Sequence, residues 1–133
     1  MWDDSLLILN AEIDAQHKEL VNHLEKLTQE SLFGCSEEQL NESFKFVEEY
    51  TQKHFSYEEA LMEQNNYPKL MTQQAQHDVF KQKIKELQDS RKRGCSSEQL
   101  ADSIKWELLN WFKHHIKNID KEMVNYINAQ QPY

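Results

Sequence analysis

The sequence predicts an all-α protein, an up-down antiparallel four-helix bundle behind a short extended N-terminal arm. Three observations carry this reading. Only two glycines and two prolines interrupt 133 residues. Leu, Lys, Glu and Gln, which all favour helix, dominate the long stretches between them. Within those stretches the apolar residues recur at the three-and-four spacing that lines one face of a helix.

That spacing places helices over residues 12–32, 37–63, 70–91 and 97–128. In the first, Ile13, Leu20, Leu24 and Leu27 share one stripe; in the third, Phe80, Ile84 and Leu87 do; in the fourth, Leu108 and Trp111 lead the apolar face. Gly34 and Gly94 suit helix C-caps, and Ser36 and Ser96 or Ser97 suit the N-caps that follow. Asn65-Asn66-Tyr67-Pro68 breaks the chain between the second and third helices. Long helices joined by short loops imply antiparallel neighbours. A chain of this length buries roughly two-thirds of its extended surface, enough for one core, so residues 1–133 read as a single domain.

A short repeat supports the pairing of helices. Phe33-Gly34-Cys35-Ser36-Glu37-Glu38-Gln39-Leu40 recurs sixty positions later as Arg93-Gly94-Cys95-Ser96-Ser97-Glu98-Gln99-Leu100. Helices one and two and helices three and four then form two copies of one hairpin.

Charge and composition exclude several function classes. Fifteen Lys and Arg against 23 Asp and Glu leave a net charge of −8, which repels a phosphate backbone, so no nucleic-acid partner is expected. No apolar run approaches the roughly 18 residues needed to cross a bilayer, and Met1-Trp2-Asp3-Asp4-Ser5 lacks the basic and apolar regions of a signal peptide. A cytoplasmic protein with no membrane partner is the expectation. Cys35 and Cys95 form neither a disulfide framework nor a closely spaced zinc site, and read as reduced, incidental thiols.

The chemistry lies in the histidines. His17 stands seventeen residues before Gly34 and His77 seventeen before Gly94, while His54 follows Gly34 by twenty and His115 follows Gly94 by twenty-one. At about 1.5 Å per residue each helix brings one imidazole to a similar depth, roughly 25–32 Å from the turns. Core-filling histidines need not agree in depth, whereas metal ligands from different helices must. Glu58 follows His54 at i+4 on the same face, giving an imidazole and carboxylate pair suited to iron or another transition metal. Asp120 follows His115 at i+5, about 140° away on a regular helix, so joint ligation predicts a π-bulge or unwinding between them. His23 and His114 lie off these stripes and are assigned to solvated or packing roles.

Taken together, Ile13-Asp14-Ala15-Gln16-His17, His54-Phe55-x-x-Glu58-Glu59-x-x-Met62, His77-x-x-Phe80 and Trp111-x-x-x-His115-Ile116-x-x-x-Asp120 resemble the hemerythrin family in its bacterial, hemerythrin-like form. Trp2 and Tyr67-Pro68 match as well, and the resemblance spans nearly the whole chain. It implies a non-haem di-iron site with oxo- or hydroxo-bridged and carboxylate-bridged irons. His17 and His54 would serve one iron, His77 and His115 the other, with Glu58 and Asp120 bridging. The family normally carries a further histidine one turn before position 77, and this sequence has Gln73 there. In the family one iron is filled by three histidines while the two-histidine iron keeps an open position. The replacement implies a nearly two-fold symmetric site, two histidines per iron, since the repeat sets Gln73 opposite Ile13. The vacated position then falls to the Gln73 amide oxygen, a weaker donor than imidazole, or to solvent.

Four functions follow as expectations. The favoured one is an oxygen- or redox-responsive sensor, binding or reacting with O2 or NO, open to small anions and coupled to an output domain or signalling partner. The alternative is an oxygen store or carrier. The third is an enzyme that reduces peroxide or nitric oxide at a symmetric, open di-iron site, but no dedicated proton donor or substrate pocket is recognisable, so no enzyme activity is expected. A bundle without metal that serves protein association is the fourth.

Overall fold

The computed structural model describes residues 2–130; Met1 and residues 131–133, the outermost part of the single-domain reading, lie outside it. The chain forms helices α1 (Ala11–Phe33), α2 (Glu37–Gln64), α3 (Leu70–Lys92) and α4 (residues 97–130), with no strand among the described residues. Each expected range falls within two residues of the observed one. α1 packs on α2 and α4, and α3 packs on the same two, closing an antiparallel ring.

The ends of the helices follow from the sequence chemistry. Ser36 accepts the Gln39 backbone N–H at 3.1 Å while the Gln39 side chain accepts the Ser36 N–H at 3.2 Å. Ser96 and Gln99 repeat the arrangement with both bonds at 3.1 Å, so the sequence repeat is a repeat of capping boxes. Gly34 and Gly94 take φ of 92° and 88°, a conformation costly for any residue with a Cβ. Asn66, at φ 52°, ends the turn after α2.

The expected extended arm is only partly extended. Asp3 caps a single 3-10 turn over Asp4–Leu6, and the arm then buries Leu6 and Ile8. The Asp14 carboxylate fixes it by accepting the N–H of Ile8 at 2.9 Å and of Asn10 at 3.3 Å. Leu9, between them, is held at φ 66° and receives the Asn128 amide on its carbonyl.

The predicted stripes line the core: Ile13, Leu20, Leu24, Leu27, Phe80, Ile84, Leu87 and Leu108 are all buried, while Trp111 is partly buried and packs against it. Phe44, Phe55, Phe80 and Phe112 are the largest side chains sealed within it, each contributing about 1.5–3 kcal/mol by removal from water. No described helix is long and apolar enough to cross a membrane.

α4 is not a uniform α-helix. Ile104–Asn110 and Ile116–Asp120 are π-helical, separated by the α-helical segment Trp111–His115. The second segment is the irregularity expected between His115 and Asp120. The first was not expected, although its signal was present in the spacing from the turns. Relative to α2, α4 carries one extra residue before its histidine, twenty-one against twenty, and another before its carboxylate, five against four. In a regular helix each would rotate everything downstream by about 100°. One π segment lies in each interval and absorbs one residue.

Candidate metal centre

Each helix delivers its histidine to one buried layer. His17, His54, His77 and His115, with Glu58 and Asp120, are all at most 1 % exposed. They form two groups, His17–His54–Glu58 and His77–His115–Asp120, whose potential ligand atoms lie within 4.8 Å of one another in each. The pairing is the one the resemblance implied.

The carboxylates join the groups. Glu58 places Oε2 3.3 Å from His17 Nε2 and Oε1 3.2 Å from His54 Nε2, and the same Oε1 lies 3.6 Å from His77 Nε2. Asp120 places Oδ1 3.2 Å from His115 Nε2 and Oδ2 3.1 Å from His17 Nε2. Each carboxylate therefore spans both groups, the disposition that bridging requires.

Most of these close approaches are not hydrogen bonds. Nε2 of His54, His77 and His115, Glu58 Oε1 and Asp120 Oδ2 are buried without a hydrogen-bond partner. Buried polar atoms are ordinarily satisfied, and a cluster left open in one layer marks a place for a group that accepts lone pairs. Imidazole nitrogen and carboxylate oxygen are the donor set that suits iron and its neighbours. The residues thus fit a pair of metal ions.

Three of the four imidazoles are aimed by their other nitrogen. His54 Nδ1 meets Gln16 Oε1 at 2.7 Å, His115 Nδ1 meets Gln76 Oε1 at 2.9 Å, and His77 Nδ1 meets Glu59 Oε2 at 2.8 Å. An acceptor there requires Nδ1 to carry the proton, leaving the Nε2 lone pair facing the layer. Aromatic rings fix the planes: Phe55 stacks on His77 at 3.8 Å and 1°, and Trp111 on His115 at 4.9 Å and 9°. Phe112 meets His17 edge to face at 5.4 Å.

Electrostatics follow from the crowding. Burial disfavours charge on His17, but the Asp120 and Glu58 carboxylates beside it prevail and raise its pKa to about 9. Burial and the Asp120 charge push Glu58 up, yet the imidazoles of His54 and His17 outweigh both and hold it at about 2. Burial likewise opposes charge on Asp120, while His115 and His17 keep it well below the usual carboxylate range. For His77 burial wins and its pKa falls, against the pull of Glu58 and Glu59.

Gln73 is buried in the same layer, but it presents its amide nitrogen to the site. Nε2 donates to Asp120 Oδ1 at 3.0 Å, and Oε1 has no hydrogen-bond partner. The expected donor oxygen is thus turned away from Asp120, because a carboxylate accepts and the amide N–H2 supplies what it lacks. His23 stacks on Phe46 at the surface, and His114 pairs with Asn118, so both stay outside the layer. The sequence carries no assigned role for Gln16, Gln76 or Glu59, although Gln16 and Glu59 stand in the motifs of the resemblance; for the glutamines the clue is that Gln precedes His in both halves, at 16–17 and 76–77.

Comparison with known proteins agrees with this geometry. The model of the Hemerythrin HHE cation binding domain matches residues 9–127. A bacteriohemerythrin of Stenotrophomonas maltophilia is 32% identical over 132 residues, covering 97% of this chain and 82% of its own. One from Pseudomonas aeruginosa is 31% identical, covering 94% and 79%, and one from Clostridium acetobutylicum is 23% identical, covering 94% and 98%.

Proposed function

Since the chain belongs to the hemerythrin family, we propose that it is a bacterial non-haem di-iron domain, cytoplasmic and spanning 1–133, that answers to oxygen, nitric oxide or redox state. The carrying observation is the open layer of donors that Glu58 and Asp120 bridge, with two imidazoles on each side and Gln73 where a third would stand. In this reading His17 and His54 hold one iron, and His77 and His115 the other. Bound iron supplies the electrons for reaction with oxygen and an affinity for small anions.

The protein supplies placement and exclusion of water. Gln73 stands where a third imidazole would be, so two imidazoles would hold each metal, and its amide lies beside Asp120. A cleft of about 260 Å³ between α1 and α2, lined by Glu12, Gln16, Tyr50, Lys53, His54 and Tyr57, brings solvent up to the Gln16–His54 pair. Two free cysteines, Cys35 and Cys95, accord with a reducing compartment.

Sensing is favoured over storage because two imidazoles per position, with Gln73 in place of a third, would leave both positions accessible to exogenous ligands. The π segments of α4 offer the element whose packing could report the state of the site to an output domain or partner. The reading is tested by counting iron after expression in iron-replete medium and titrating azide into the oxidised protein. About two irons per chain, and tighter azide binding than in Gln73→His, are expected; a chain without iron overturns it.

A further inference from the structure

The two candidate positions have equal donor counts, so what lies behind the ligands decides which one is stronger. In the first group, His54 is backed by the neutral amide of Gln16, and His17 Nδ1 has no hydrogen-bond partner. In the second, His115 is backed by the neutral amide of Gln76, but His77 is backed by a carboxylate, Glu59, 25 % exposed. The asymmetry is written in the repeat. Glu59 directly follows the bridging Glu58, whereas the residue directly following Asp120 is Lys121, which has no acceptor.

A carboxylate behind an imidazole raises its basicity as a ligand, and such partners change metal affinity by about 10–100-fold. Gln73 acts in the opposite sense on Asp120 Oδ1. Its amide is neutral, however, and Asp120 spans both groups, so that weakening is shared, while Glu59 acts on His77 alone.

We propose that the two metal positions are unequal and fill in order, His77–His115–Asp120 before His17–His54–Glu58, with Glu59 as the positioning residue that sets the order. This rests on the two-metal reading above. The order gives the chain a half-loaded state in which the Gln73 side is occupied and the His17 side is not.

The test titrates the metal-free, 15N-labelled full chain with zinc, which binds imidazole and carboxylate without redox change, and follows each imidazole by 1H–15N correlation. The first equivalent is expected to move His77 and His115, and the second His17 and His54. Glu59→Gln, which keeps an acceptor but removes the charge, lowers the first-step affinity about tenfold or more and merges the two steps. Gln16→Glu, placing a carboxylate behind His54, strengthens the other position by a similar factor. The opposite order, simultaneous filling in the wild type, or an order untouched by both variants overturns the proposal. Zinc and ferrous iron moving no imidazole at all removes the two-metal reading itself.

Discussion

Gln73 donates its amide N–H to Asp120 Oδ1 at 3.0 Å, from a position one helical turn before His77. A residue that the resemblance marks as a lost ligand is therefore a partner of a carboxylate that spans the two groups. The bond joins α3 to α4, where Asp120 ends the second π segment.

This contact is measurable without metal. Gln73→Leu removes a hydrogen bond to a charged group, but also an unpartnered buried oxygen, so the metal-free protein should lose about 1 kcal/mol. Denaturant unfolding reads this directly. A gain in stability would mean that the Gln73–Asp120 bond contributes nothing.

The π segments make a sharper prediction. Lys105 and Lys117 are exposed, one in each segment. Deleting either should convert its segment to regular α-helix while leaving the downstream face in place, because the bulge exists to absorb one residue. Metal stoichiometry should survive each deletion. Loss of metal binding with helicity intact would show that the π geometry itself aims His115 or Asp120.

pH dependence of the metal-free chain has a definite sign. His17 rises from 6.5 to about 9 on folding, so its stabilisation is full below 6.5 and is lost as pH climbs through 9. Glu58 falls from 4.5 to about 2, so its contribution is full above 4.5 and is lost as pH drops through 2. His77, depressed by burial, stabilises above 6.5 and tilts the interval downward toward its acid end. Thermal unfolding across pH 3–10 should fall away on both sides of roughly 4.5–6.5. Stability still rising above pH 9 would contradict the His17 assignment.

Phe112 packs edge-on against His17 and at 6.0 Å against His54, and is fully buried. Phe112→Ala should cost about 3–5 kcal/mol, most of it cavity formation. Chemical denaturation gives the value, and a cost under 1 kcal/mol would mean that the layer collapses around the gap.

The fold was legible because its signals are local. Ser36 and Ser96 caps, glycines at 34 and 94, and apolar stripes such as Leu20–Leu24–Leu27 each act within a few residues. The histidine layer was legible because helix rise converts sequence distance into depth, which placed His17, His54, His77 and His115 together. Gln16, Gln76 and Glu59 were not legible, since their role depends on which imidazole they meet across a helix interface. The first π segment was hidden for another reason: one residue in twenty-one changes depth by little but rotation by about 100°. The orientation of the Gln73 amide depended on Asp120, forty-seven positions away.

The most direct measurement mixes the di-ferrous protein with oxygen and follows the absorption spectrum, comparing wild type with Gln73→His. Wild type should pass quickly to the di-ferric form, while Gln73→His should hold a long-lived spectrum that reverts when oxygen is withdrawn. A wild type that itself takes up oxygen stably and reversibly would contradict the sensing account and make storage the function.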